Sequence, residues 1–357
     1  MLAVGSGLMK MPVTVAITTL MIGATLALFS RQARADETVG TFSVDSVVLR
    51  PTYFSQEEQG GQFSLGDSEI GVLWRKNRHW SAHFDLGDTA YRNLPIYYNN
   101  GVNETQFGLV DGYAEYDGIY GRVRAGLIPI DFGYEGVLDD AHRYFLYSQS
   151  IANRLVALRD EGVSFYTEHN GYFTELTVHN GSVDQSNGGD PWVTGDWGWS
   201  DSRTIRTMLS LQTGLVPAGL TTNDTAIDVA NFQPGVTARV RNGAAFVEYT
   251  PLYWDVVAEI GGGEIVQNNK TGRYDYDLLQ TIHDFSRNLA VGARYDYYDS
   301  DMGISGQAQT EFTALLMLKS DDASSNLIIE GTKHIYETNQ IHDDQLRVEW
   351  LLTPFAH

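Results

Sequence analysis

The sequence predicts an all-β protein, a transmembrane antiparallel β-barrel of about 16 strands within a range of roughly 14–18. Three observations carry that reading. Apolar and polar residues alternate with period two along much of the chain. The only long apolar stretch stands at the N-terminus, so nothing after it reaches the ~18 apolar residues of a helical span. The 357 residues include no Cys, so disulfides cannot hold this large chain together, and a closed hydrogen-bonded barrel can.

The N-terminal stretch comes first. Lys10 supplies a cationic flank, the apolar run extends from Val13 to Leu28, and Ala33-Arg34-Ala35 fits the small-x-small pattern of signal peptidase cleavage. Residues 1–35 are therefore expected to be a signal peptide, with Met11 as an alternative start, and residues 36–357 a single barrel domain. A retained anchoring helix is the alternative, and the apolar run is short for one. The leader carries Lys10, Arg31 and Arg34 and no acid, so the remainder has 21 basic residues against 45 acidic ones, a net −24. That balance excludes nucleic acid as a partner, which needs a basic footprint.

Strand signals then follow in order. Trp80, Ala82, Phe84 and Leu86 face one way, and Ser81, His83 and Asp85 the other. Val123, Ala125 and Leu127 oppose Arg122, Arg124 and Gly126, and Val236, Ala238 and Val240 oppose Thr237, Arg239 and Arg241. Leu289, Val291, Ala293, Tyr295 and Tyr297 oppose Ala290, Gly292, Arg294 and Asp296. Thr310 to Leu318 and Leu346 to Leu352 repeat the pattern, the latter against Arg347 and Glu349. Wet faces carrying Arg, Asp and Glu suit a polar lumen, and Tyr97, Tyr98, Tyr113, Tyr116, Tyr253, Trp254, Tyr295, Tyr297 and Tyr298 suit interfacial girdles. Ordinary packing in a soluble sheet is the competing explanation of those aromatics.

Connections are read from turn chemistry. Asn170-Gly171, Asn242-Gly243 and Asp117-Gly118 are expected as tight hairpin turns. The stretches 97–104, 184–201, 215–233 and 267–276 are expected as longer loops. Pro129, Pro217, Pro234, Pro251 and Pro354 flank strands, and Pro51 fits less well. Asp184 to Asp190 has the flavour of a calcium loop without its terminal bidentate Glu, so no metal or other cofactor is expected.

Short motifs spread over most of the chain after residue 35 resemble a known family. The run Asp111-Gly112-Tyr113-Ala114-Glu115-Tyr116, followed by Arg122 to Gly133 (RVRAGLIPIDFG), is similar to the phosphate-selective porin O and P family. So are Arg159-Asp160-Glu161-Gly162-Val163, Val178-His179-Asn180-Gly181 and Leu289 to Tyr297. The resemblance implies a water-filled channel in the outer membrane of a Gram-negative bacterium, surrounded by lipid and lipopolysaccharide, usually trimeric, and in some members selective for phosphate. Two features depart from it. The chain ends Pro354-Phe355-Ala356-His357 rather than on an aromatic residue, and its acidity runs against a basic phosphate ladder.

Function in so wide a barrel would sit where the lumen narrows. The segment 134–158 is too long for a turn, is rich in Arg, His and aromatic residues, and includes Ile151 to Leu158 as a possible short helix. Folded into the lumen, it would set Asp139, Asp140, Arg143 and Arg154 against wall residues Arg122, Arg124, Arg159, Arg239, Arg241 and Arg294; lying outside, it would be a surface loop. The expected function is passive diffusion of small hydrophilic solutes or ions, with the sign of selectivity left open by inward arginines and acidic mouths. A closed structural or adhesive barrel is the alternative. An outer-membrane hydrolase is a lesser one, because no strand offers a convincing Ser or Asp with His, and no enzyme is expected.

Overall fold

The computed structural model describes residues 40–57, 60–66, 68–88, 107–138, 142–152, 158–180, 191–201, 203–216, 235–300, 302, 308–322, 324–337 and 344–354. The expected signal peptide, the 97–104 loop, the 184–190 loop and Phe355 to His357 lie outside them. Among the described residues, eighteen β segments form one antiparallel sheet. They are β1 (Thr41–Val48), β2 (Thr52–Gln56), β3 (Gly60–Ser64), β4 (Glu69–Arg75), β5 (Trp80–Asp88), β6 (Phe107–Gly118), β7 (Gly121–Pro129), β8 (Arg159–His169) and β9 (Tyr172–His179). There follow β10 (Trp192–Ser200), β11 (Ile205–Val216), β12 (Ala238–Tyr249), β13 (Trp254–Gln267), β14 (Lys270–Ser286), β15 (Leu289–Asp299), β16 (Ala308–Lys319), β17 (Ser325–Tyr336) and β18 (Gln345–Leu352).

Two of these segments continue their predecessors. β2 pairs with β3 and β1 with β4 in one running register, Thr52 opposite Ser64 and Val48 opposite Glu69. Pro51 has no N–H to give a ladder and marks the break between β1 and β2, while Gly66 turns through φ +56 on the facing side. Eighteen segments less two continuations leave sixteen staves. The ring closes where β18 pairs with β2 and where Leu49 and Leu352 exchange two hydrogen bonds of 2.9 Å. Among the described residues every stave is paired with a neighbour on each side.

Burial is inside out. Trp197 (58 % exposed), Ile260 (65 %) and Trp350 (52 %) stand on the outer face, whereas Arg294, Asp296, Glu330 and Arg347 are buried on the inner one. A soluble sheet would do the reverse, because ionised groups are costly to bury unless paired. Trp254 and Glu264 lie on opposite sides of the outer apolar band, ten residues apart on β13, or about 34 Å along the strand. At the usual barrel tilt that gives roughly 26 Å along the barrel axis, the height of a membrane's apolar layer. Tyr116, Tyr120, Tyr172, Tyr253, Trp254 and Phe285 ring the short-turn end, all exposed. Two expected girdle residues are elsewhere: Tyr298 is fully buried on the inner face, and Tyr113 stacks on His83 there.

The turns correct several expectations. Asn170-Gly171 does form a tight hairpin, both residues at positive φ (54 and 80). The β6–β7 turn is Ile119-Tyr120, two residues beyond Asp117-Gly118. Asn242-Gly243 is not a turn; both residues lie inside β12, where Asn242 bonds Gln212 and Tyr274 across the sheet. The expected loop 267–276 shrinks to Asn268-Asn269, again both at positive φ (47 and 61), and β14 begins at Lys270. The expected 184–201 loop contains β10.

Two predictions follow from this geometry. At Gly171 an added Cβ would sit 2.4 Å from the Ser200 carbonyl oxygen, so Gly171→Ala is expected to destabilise the barrel by about 1–2 kcal/mol, read as a lower thermal unfolding temperature in detergent. In the exposed β16–β17 turn, bonds from Ser320, Ser324 and the Ser324 N–H pull the Asp322 carboxyl down to about 2. A depressed folded-state pKa means that the stabilisation is present above the unfolded pKa and lost as pH falls through the folded one. Asp322→Asn should therefore unfold earlier than the parent at pH 7, and the difference should vanish below pH 2.

Candidate functional site

The inner face is joined by the segment after β7. Ile130 N still bonds Leu158 O at 2.9 Å, extending the β7–β8 pair by one step. The chain then leaves the wall. Gly133, at φ +65, comes so close to Glu259 that a Cβ would meet its carboxylate at 2.8 Å. Gly133 N donates to Ser210 Oγ (3.1 Å) and Tyr134 N to Glu259 Oε2 (2.5 Å), fixing the Gly133–Gly136 helical turn against β11 and β13. Glu135 ties the two limbs together, accepting from Ser148 N at 3.0 Å and from Ser148 Oγ at 2.5 Å.

The returning limb is held by the opposite charge pattern. Arg50 donates to the Arg143 carbonyl at 2.6 Å, Arg347 to that of Tyr144, and Arg294 to those of Leu146 and Tyr147. Wall carboxylates take the N–H groups: Leu146 N to Glu330 at 3.2 Å and Gln149 N to Asp296 at 2.7 Å. The Gln149 amide reaches Glu311. Non-helical backbone inside a barrel must find such partners, because each unpaired buried group costs about 1–3 kcal/mol. The wall groups are also paired with one another: Arg50–Glu349 at 2.8 Å, Arg347–Glu330 at 2.7 Å and Arg347–Glu349 at 3.0 Å.

Apolar contacts complete the seat. Tyr134 meets Phe246 edge-on (5.7 Å, 73°) beside Met208, Val257 and Leu278. Phe145 packs among Ile282, Leu315, Met317 and Ile328, with the Arg294 guanidinium 5.4 Å from its ring centre. Gly292 makes that possible, since a Cβ there would meet Phe145 Cζ at 2.8 Å. The expected helix at Ile151 to Leu158 is a single turn, Gln149–Ala152, and residues 153–157 lie outside the described ones.

The wall facing β4 to β9 carries a different set. Glu115 pairs with Arg124 (3.1 Å) and Arg122 (3.6 Å), and Arg159 with Asp111 (3.0 Å). Arg122 lies over the Tyr166 ring (4.8 Å) and Arg124 over Tyr113 (5.5 Å). These arginines are 16–32 % exposed, unlike the buried set that holds the segment. Between the segment and the short-turn rim lies a cavity of about 430 Å³, bounded by Tyr134, Leu138, His142, Arg206, Glu248 and Asp255.

The expected site residues thus divide. Arg122, Arg124 and Arg159 share one wall. Arg143 and Arg294 meet on the opposite side, in the buried lattice around Tyr147, where Arg143 bonds the phenol at 3.1 Å. Asp139, Asp140 and Arg154 lie outside the described residues. Arg239 and Arg241 are corrected: both project from the exposed outer face of β12, Arg241 toward Glu264 at 2.8 Å. Inward on that strand are Ala238, Val240 and Asn242. Here the apolar stripe faces in, because β12 runs past the apolar band and its outer end meets polar surroundings. Arg50, Glu135, Glu259 and Glu330 went unread. Glu349 was read with Arg347 on the wet face of its strand but not as the partner of Arg50, which, at the break before Pro51, follows no period.

Removing Arg294 would strand the Leu146 and Tyr147 carbonyls and leave Asp296 and Glu311 short of a cation 4.0 Å away. Arg294→Met is expected to cost about 3–5 kcal/mol and to open the segment to protease attack on the folded barrel, read by thermal unfolding and limited proteolysis.

No family model matches the chain, and no curated protein matches it in sequence. Solved structures do. In-vitro folded OmpT, an outer membrane protein of Vibrio cholerae, superposes with TM-score 0.67 at 11 % identity over 90 % of this chain and 99 % of its own. The anion-selective porin from Comamonas acidovorans gives 0.62 at 13 % identity over 87 % and 99 %. The outer membrane channel DcaP of Acinetobacter baumannii gives 0.64 at 8 % over 89 % and 98 %. At such identities the likeness is one of fold, and the chain is a transmembrane antiparallel β-barrel of porin architecture.

Proposed function

We propose that the chain is a diffusion channel of a Gram-negative outer membrane, exported by a cleaved leader at residues 1–35 and passing small hydrophilic solutes or ions. The observation that carries this reading is the one-sided seat of the inner segment. Its hydrogen bonds run to the stretch before β2, to β11 and to β13 through β18, while the arginines of β7 and β8 on the other side stay partly exposed. A segment seated on one side narrows a sixteen-stave lumen, wide enough for an aqueous channel, without filling it. In this reading the segment between β7 and β8 is the constriction, and Arg122, Arg124 and Arg159 form its basic wall.

A weak preference for anions is the finer proposal, because Arg122, with 32 % of its side chain open, is more exposed than the carboxylates of that wall, Glu115 (16 %), Glu69 (10 %) and Asp111 (7 %). The neighbour from Comamonas acidovorans is described as anion-selective, and one OmpT structure as a trimer form. A homotrimer, and phosphate as one permeant ion, are proposed here on that likeness and on the resemblance of the 111–133 region. A planar bilayer with a salt gradient tests the reading. Stepwise openings with a reversal potential of anionic sign are expected, moving toward cations in Arg122→Gln/Arg124→Gln. Folded, inserted protein without openings would overturn the channel.

A further inference from the structure

Arg239 and Arg241 belong to a patch that the lumen does not use. On the outer face of three adjacent strands, Arg241 of β12 stands opposite Glu264 of β13, which stands opposite Arg273 of β14. One step nearer the long-loop rim is Arg239, and Lys270 opens β14 at the hairpin tip. All four cations are exposed; Arg241 keeps 57 % of its side chain in the open while holding Glu264. Among the described residues no carboxylate lies within ion-pair distance of Arg239, Lys270 or Arg273. In a chain of net charge −21, three arginines on one outward patch are unusual; Lys270 stands beside them at the hairpin tip, on the inward parity of β14. Asp275, Asp277 and Asp299 bound the patch on the β15 side.

What lies beneath the row is equally specific. The next register step is Leu211, Gly243, Gly262 and Asp275, where the two glycines leave a bare strip of outer wall between Leu211 and the Asp275 carboxyl. Below it come Leu209, Ala245 and Ile260, well inside the apolar band. A cationic row thus stands at the band's edge, directly above a shallow apolar furrow walled by exposed Leu211 and Ile260. Guanidinium forks match phosphate oxygens, and a furrow in lipid-facing wall matches an acyl chain.

We propose that Arg239, Arg241 and Arg273 bind the phosphate headgroup of a membrane lipid, whose acyl chain lies in the Gly243–Gly262 furrow. The site rests on the membrane-barrel reading but not on conduction. Long loops mark the extracellular end of such barrels, so the occupant is a phosphorylated glycolipid of the outer leaflet.

The test uses the full-length barrel in detergent. Native mass spectrometry titrates it with diphosphorylated lipid A, with dephosphorylated lipid A and with inorganic phosphate, and bilayer conductance is measured on the same preparation. Saturable binding of the phosphorylated lipid alone is expected, weakened about tenfold or more in Arg239→Gln/Arg241→Gln/Arg273→Gln and unchanged in Lys319→Gln at the opposite rim. Arg273→Gln alone, with Arg273→Lys restoring part of the affinity, serves if the triple variant does not fold. Equal binding by parent and variant, binding indifferent to the lipid phosphates, or a variant that loses only its oligomeric state would each overturn the proposal. The last result would make the patch a contact between copies of the chain. Conductance of the triple variant should match the parent, so failure of the channel and failure of the lipid site are read separately.

Discussion

A backbone N–H or C=O inside hydrocarbon has no water to turn to, so a sheet that crosses a membrane must leave none unpaired. Everything in this chain depends on the seam that meets that demand. β18 folds back onto β2, and Leu49 and Leu352 exchange hydrogen bonds across the break that Pro51 makes in the first stave. The proline is tolerable because Pro51 still offers its carbonyl, which accepts from Trp350 N at 3.0 Å. Closure then dictates the alternation: lipid selects apolar side chains outside, and the interior collects the charges.

Sixteen staves enclose more space than wall side chains fill. The chain answers with the segment after β7, whose difficulty is that irregular backbone carries as many polar groups as a strand and no ladder. Arginines at 50, 294 and 347 take its carbonyls, and carboxylates at 259, 296 and 330 take its N–H groups. The wall charges at 50, 294, 296, 311, 330, 347 and 349 are balanced by neighbours of opposite sign where desolvation is severe, and Glu259 is met by the Tyr134 N–H. The same solution explains why so many ionised groups are buried.

How far this could be read in advance differs by region. From Leu289 to Asp296 the period-two stripe assigns each side chain to its face, because lipid outside and charge inside leave no third choice. Asn170-Gly171 is legible for a local reason, since two residues at positive φ favour that pair. Asn242-Gly243 carries the same dipeptide and misleads, because Asn242 finds Gln212 and Tyr274 within the sheet and the ladder outweighs the local preference. Arg239 and Arg241 mislead for a related reason: parity marks which residues share a face, but beyond the apolar band a polar face can be the outer one. Of the candidate site, the wall arginines and the unusual segment were visible in composition and length. Their partners were not, because Arg50 and Glu349, or Leu146 and Glu330, meet only after the ring has closed.

That last feature bears on how the molecule is made. The segment is synthesised about a third of the way along the chain, yet Leu146 waits for Glu330, 184 residues later, and Gln149 for Asp296, 147 later. Until β15 to β18 are in place its carbonyls and N–H groups have only water for company. Its seat is therefore the last part of the interior to assemble, and it can serve as an internal record of completion: a barrel lacking its final staves would keep a loose, hydrated strap. Loop-closure entropy over such separations is repaid only by many contacts formed together, so seating and ring closure should occur as one cooperative event.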